Sequence, residues 1–129
     1  MKTFPLWVLL AGLLVSAPVL AHHGNAAFDV GKRLELKGTV TEWVWGNPHC
    51  WLKFDVKDES GKVVNWAFEN SNVSSLAREG YNRNTVRVGQ EITAIVNPGV
   101  NGMPVGIVVK VILPDGKVVM SRERGNPVD

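Results

Sequence analysis

The residues best able to do chemistry in this chain are its three histidines, and they fall in two places: His22 and His23 side by side, and His49 in Asn47-Pro48-His49. What precedes the pair gives it its interest. An apolar run from Phe4 through Leu20 carries no charge, follows Met1-Lys2 and is punctuated by small residues at Ser16, Ala17 and Ala21, the layout of a secretory signal peptide with its cleavage site. The run is short for a spanning helix, which needs about 20 apolar residues with anchoring flanks. Cleavage after Ala21 leaves His22 with a free α-amine, whose pKa near ~7.7 lets a metal ion displace its proton at neutral pH. Amine nitrogen and imidazole Nδ1 then close a chelate ring, and His23 or His49 completes a three-nitrogen site, by analogy with the ligand types of a histidine brace. Such donors suit copper(II), nickel(II) and zinc(II), with copper highest in the affinity order. The expected cofactor is copper, with nickel or zinc as alternatives, and the expected site is His22, His23 and His49. The competing account of His22 and His23 is a flexible polar terminus.

His49 also keeps notable company. Continued two-residue alternation puts Trp43, Trp45, His49 and Trp51 on the face opposite core-directed Val44, Leu52 and Phe54, and brings Glu69 of the third strand onto the same face. Three bare indoles would expose an apolar patch that soluble proteins seldom tolerate. The expectation is a covered face or a ligand surface formed by Trp43, Trp45, Trp51 and Glu69. Packed indoles beside a hydrogen-bonded turn histidine are the bland alternative.

The elements that must position these groups are strands. Leu34 to Val44 alternates apolar with polar residues, interrupted at Glu42; Cys50 to Lys57 and Val64 to Glu69 do the same across the turn signal Asp58-Glu59-Ser60-Gly61. Ser71 or Asn72 caps a short helix over Val73 to Glu79, with Gly80 where a helix commonly stops. A fourth strand follows from Glu91 to Val96 and a fifth from Met103 to Leu113, after which Pro114-Asp115-Gly116-Lys117 returns the chain toward Val118 and Met120. Three strands, a helix and two strands predict a mainly β fold: a small five-stranded OB-like β-barrel with one short helix. A small open sandwich fits the same string. The division is 1–21 signal peptide, 22–33 histidine-containing segment, 34–120 barrel domain and 121–129 flexible tail. The N-terminal segment would reach His49 by running back beside the first strand, anchored by Phe28.

Composition narrows the partners. Of the formal net charge of +2, one unit is Lys2 of the leader, so the mature chain is near neutral, and an electrostatic nucleic-acid footprint is not expected. Cys50 is the only cysteine, which excludes an intrachain disulfide although an exported chain would allow one. It reads as a small buried hydrophobe. No nucleophile elbow, His-Glu-x-x-His, Cys-x-x-Cys or phosphate-cradling loop is present. An enzyme is conceivable only if a metal site keeps an open position. The remaining readings are a periplasmic or secreted metal-binding protein and, as the alternative, a non-enzymatic ligand- or protein-binding β module using the tryptophan face. The partner is thus a metal ion, a small ligand or a periplasmic protein, and the mature chain carries no transmembrane segment.

Ala21-His22-His23-Gly24, Phe28-Asp29, Gly38-Thr39-Val40, Asn47-Pro48-His49, Trp66 with Glu69, Leu76 and Gly80 together resemble a family of small exported bacterial proteins, domain of unknown function 6152. The resemblance runs from about His22 to Met120. It implies an OB-like β fold and a periplasmic or secreted location, and it carries no activity. The family's paired histidines and Asn-Pro-His turn fall on His22, His23 and His49.

Overall fold

In the computed structural model, residues 25–123 are described. The elements run in the order expected: β1 (Leu34–Val44), β2 (Trp51–Lys57), β3 (Val63–Glu69), α1 (Val73–Arg78), β4 (Glu91–Pro98) and β5 (Val105–Ile112), with a two-residue β6 (Val118–Val119) laid on β5. The sheet order is β3-β2-β1-β4-β5-β6, and β3 also pairs with β5 in parallel. That last pairing closes five strands into a barrel, and the helix between β3 and β4 completes the OB-like arrangement. Among the described residues no helix is long and apolar enough to cross a membrane.

One long strand makes closure possible. The lower half of β1, Leu34 to Thr39, pairs with β4, while Thr39 to Val44 pairs with β2. The crossover is tight at Gly38, where a Cβ would sit 2.3 Å from the Asp55 carbonyl oxygen and 2.4 Å from the Phe54 ring. Only glycine fits so close an approach. Two residues later the ladder slips between Val40 and Glu42, a β-bulge, which bends the strand and reverses which side chains face inward. Strict alternation had placed Val44 inward and Trp43 outward. Instead Trp43 stands opposite buried Leu52 and Val44 opposite Trp51. The interruption at Glu42 marks this phase change.

The barrel is filled by Val40, Leu52, Phe54, Phe68, Ile92, Ala94, Val96, Val108 and Val111, each no more than 1 % exposed. The Phe54 and Phe68 rings meet at 4.8 Å in a tilted pair, a favoured aromatic geometry. β4 shows the underlying alternation most plainly, with Ile92, Ala94 and Val96 buried between less buried neighbours. Leu76 of α1 adds a buried side chain to the same core. The helix begins where Asn72 Oδ1 accepts from Ser75 N at 2.9 Å, and Gly80, at φ +89°, follows its end in the left-handed region.

Both ends of the described chain are tied to the barrel. Ser121–Glu123, expected within the free tail, are held: Arg122 N donates to Val109 O at 2.7 Å, and the Glu123 carboxylate meets Arg33 at 2.6 Å and Lys110 at 2.8 Å. Residues 124–129 lie outside the described residues.

Candidate functional site

His49 is placed by the chain on either side of it. Its neighbour Cys50 continues the β2–β3 ladder: Cys50 N donates to Ser71 O at 3.0 Å, and Asn70 N donates to Cys50 O at 2.9 Å. The Cys50 side chain is wholly buried, with Sγ 3.5 Å from Gly46 O, so it serves as the small hydrophobe the sequence suggested. On the other side, Asn47 Oδ1 accepts from Val73 N at 3.2 Å, one of the helix donors that has no partner within the helix. The turn is therefore fastened to both the barrel and α1.

The register then sets Glu69 opposite Trp51, and the Glu69 carboxylate reaches back to His49, with Oε1 3.0 Å from Nδ1. The carboxylate beside Nδ1 favours a ring orientation in which Nε2 is the nitrogen turned toward an incoming metal ion. The pair is neither sealed nor fully solvated, the side chains being 40 % and 21 % exposed. It borders a cleft of about 260 Å³ shared with Ser71, Ser75, Ile107 and Arg122. Partial desolvation lowers the Arg122 pKa, against the opposing pull of Glu69 and Glu79. Arg122 was not singled out in the sequence, because it belongs to a short polar stretch whose fastening to β5 depends on the barrel around it.

Of the four residues expected on a ligand face, Trp43, Trp45, Trp51 and Glu69, the fold sets Glu69 beside His49 and Trp51 opposite Glu69 in the ladder. Trp43 and Trp45 pack against the hydrophobic core, their ring centroids 5.9 Å apart, and Trp43 Nε1 donates to Asn82 O at 3.3 Å. The bulge in β1 is the cause. None of the three indoles is bare, since each is partly buried.

His22 and His23 lie outside the described residues, but the segment that leads from them is visible from Asn25. It does not run back beside β1 as expected. Phe28 bridges antiparallel to Gly99, Asp29 N donates to Pro98 O at 2.9 Å, Val100 N donates to Ala27 O at 3.1 Å, and Asn97 Nδ2 donates to Lys32 O at 2.7 Å. The reason is the unequal length of the strands. β1–β4 pairing ends at Leu34 opposite Val96, leaving the last residues of β4 with unpaired backbone groups that the incoming chain satisfies. Among the described residues there is no group of three or more His, Cys, Asp or Glu able to hold a metal ion. His49 could therefore serve only as one ligand of a site completed from elsewhere.

No curated protein matches the chain. Residues 11–108, most of its length and all of the site just described except Arg122, match the Family of unknown function (DUF6152), and the chain belongs to that family.

Proposed function

We propose that this is an exported, periplasmic or secreted metal-binding protein, in which the mature N-terminus at His22 chelates copper(II), with nickel or zinc as lesser alternatives, and His23 and the Nε2 of His49 supply further nitrogen ligands. The observation that carries the reading is the His49–Glu69 pair. A carboxylate 3.0 Å from Nδ1 is the partner a metal-bound imidazole commonly has.

From Pro98, which holds Asp29, across β5 to Glu69 is two to three strand spacings, about 10–15 Å. Asn25–Ala27 form a 3-10 turn and Ala27 O accepts from Val100 N, so the three residues from Asn25 back to His22, about 10 Å when extended, have to turn back toward β3 for the terminus to meet His49. The His22 amine and the imidazoles must be deprotonated to bind, so the affinity should fall as the solution is acidified.

The test uses protein purified after export. Intact mass should show a chain beginning at His22, and copper(II) titration should show one equivalent bound through nitrogen. A chain that begins elsewhere, or a correctly processed chain that binds no copper, nickel or zinc, overturns the proposal. The function then passes to the non-enzymatic alternative, a binding module that uses Trp51, Glu69 and the adjoining cleft.

A further inference from the structure

The cleft of about 260 Å³ beside His49 has a second wall, formed by Arg122, that the metal-binding reading does not use. The chain around Arg122 is fixed on both sides. Before it, Met120 is 2 % exposed, its Sδ accepts from Asn70 Nδ2 at 3.1 Å, and its backbone takes φ 53°, a left-handed conformation uncommon for so bulky a residue. Arg122 N donates to Val109 O at 2.7 Å, and after it the Glu123 carboxylate is held by Arg33 at 2.6 Å and Lys110 at 2.8 Å. Backbone conformations of this kind persist where the surrounding structure fixes them, and they gather at binding sites.

The guanidinium placed this way has no counter-ion among the described residues, whose ion pairs do not include it. Partial desolvation lowers its pKa against the pull of Glu69 and Glu79. Glu69, the one carboxylate lining the cleft, is engaged with His49 Nδ1 at 3.0 Å. The neighbouring side chains offer donors. Ser75 Oγ accepts from Arg78 Nη2 at 3.3 Å, which leaves its own hydrogen to donate, and the Ser71 hydroxyl adds another. Asn70 is satisfied internally, its Oδ1 accepting from Ser71 N at 2.9 Å and its Nδ2 donating to Met120. Ile107, 9 % exposed, gives the cleft an apolar wall. A partly desolvated cation flanked by hydroxyls is completed by an anion that accepts from all of them.

We infer that this cleft binds a small monocarboxylate, gripped by the planar fork of Arg122, with a Ser71 or Ser75 hydroxyl donating to one of its oxygens. The guanidinium matches a carboxylate through two parallel hydrogen bonds. A phosphate dianion is poorly served, because Arg122 is the only permanently charged cation lining the cleft. Ligand pockets commonly enclose about 300–1,000 Å³, so a cleft just below that range suits an acid of a few carbons, its chain laid against Ile107. The inference is independent of the metal-binding reading.

The test uses the exported protein, stripped of metal and then dialysed free of chelator. Amide shifts are followed by NMR as sodium butyrate is added, with sodium chloride at matched ionic strength as the control. Saturable shifts at Ser71, Ser75 and Arg122 are expected with butyrate and not with chloride. Arg122→Gln should weaken butyrate binding about tenfold or more, since a hydrogen-bonded charge is lost. Arg122→Lys, which keeps the charge and loses the fork, should fall between the two, and thermal melts verify that both variants fold. Shifts in the wild-type chain that never saturate overturn the inference, as does an unchanged affinity in Arg122→Gln. Tighter binding of inorganic phosphate than of butyrate overturns the carboxylate assignment. A chain that binds copper but not butyrate sinks this inference alone, and one that binds butyrate but not copper supports it while the metal-binding reading fails.

Discussion

The turn carrying His49 and the segment leading from His22 and His23 are fastened in different ways. Around His49, Cys50 N and O both join the ladder, Asn47 holds the first turn of α1, and Glu69 holds the imidazole. Around Phe28, the two backbone hydrogen bonds of its bridge to Gly99 and the Asn97 amide hold a segment in which Ala26, Ala27, Asp29 and Val30 are exposed. On the proposed reading, the fold holds one donor, His49, in place, and the terminal chelate supplies the strength of the site.

That contrast is broken most severely by blocking the terminus. Extending the chain by two residues before His22 removes the amine, and should weaken copper(II) binding about a hundredfold, or about 2.7 kcal/mol, with no change in melting temperature. Removing the preorganised donor costs less: His49→Ala should weaken copper(II) binding about tenfold, or about 1.4 kcal/mol, as read by the same competition titration. An unchanged affinity would confine binding to the tether. Asn47→Ala sharpens the comparison from the stability side. It leaves Val73 N without its side-chain acceptor, and chemical denaturation should show a loss of about 1 kcal/mol. Phe28→Ala, acting on the tether alone, should cost roughly 0.5 kcal/mol of global stability while increasing amide exchange at Asp29 and Val100.

The smallest effect is electrostatic. Hydrogen bonds from Lys110 and Arg33 hold the Glu123 carboxyl below its ordinary value of 4.5. A depressed carboxylate stabilises the fold above that ordinary value and loses the contribution as pH falls through the lowered one. Stability curves of the protein and of Glu123→Gln should therefore differ slightly at neutral pH and converge in acid. At high salt the neutral-pH difference should shrink, because the groups are exposed.

Much of the fold was legible because it follows from local patterning. The alternation of β2, β3 and β4, the Asn72 cap and the glycine after α1 each depend on a few adjacent residues, and together they imply the barrel. The inward face of β1 was legible only as far as Val40. Beyond it the bulge is imposed by one strand serving two partners, a non-local demand that appears in the sequence merely as a misplaced Glu42. That single slip put Trp43 and Trp45 on the wrong face.

The site divides in the same manner. His49 and Glu69 could be brought together by counting along β2 and β3, since register carries the information. Arg122 could not, because its place depends on Met120 adopting φ 53° after the short return of β6. The only hint was the spacing of Val118 and Met120 behind the Asp115-Gly116 turn, which indicated a return onto β5. The course of the tether was hidden too, because it is set by where β1–β4 pairing runs out.

The parallel seam that makes the sheet a barrel is only three pairs long, Ala67 with Val105, Phe68 with Gly106 and Glu69 with Ile107. These partners lie 38 residues apart in the chain, so the seam closes a long loop for three pairs, whereas β1 and β4, 52 to 62 residues apart, spread a larger closure cost over six. In the native state a segment joined by so few bonds is a natural place for partial opening. Glu69 occupies its last rung. Any fluctuation that unzips the seam would also release the group that steadies His49, so transient opening of the barrel and loosening of the imidazole should be one event, seen as matched amide exchange at Ile107 and Glu69.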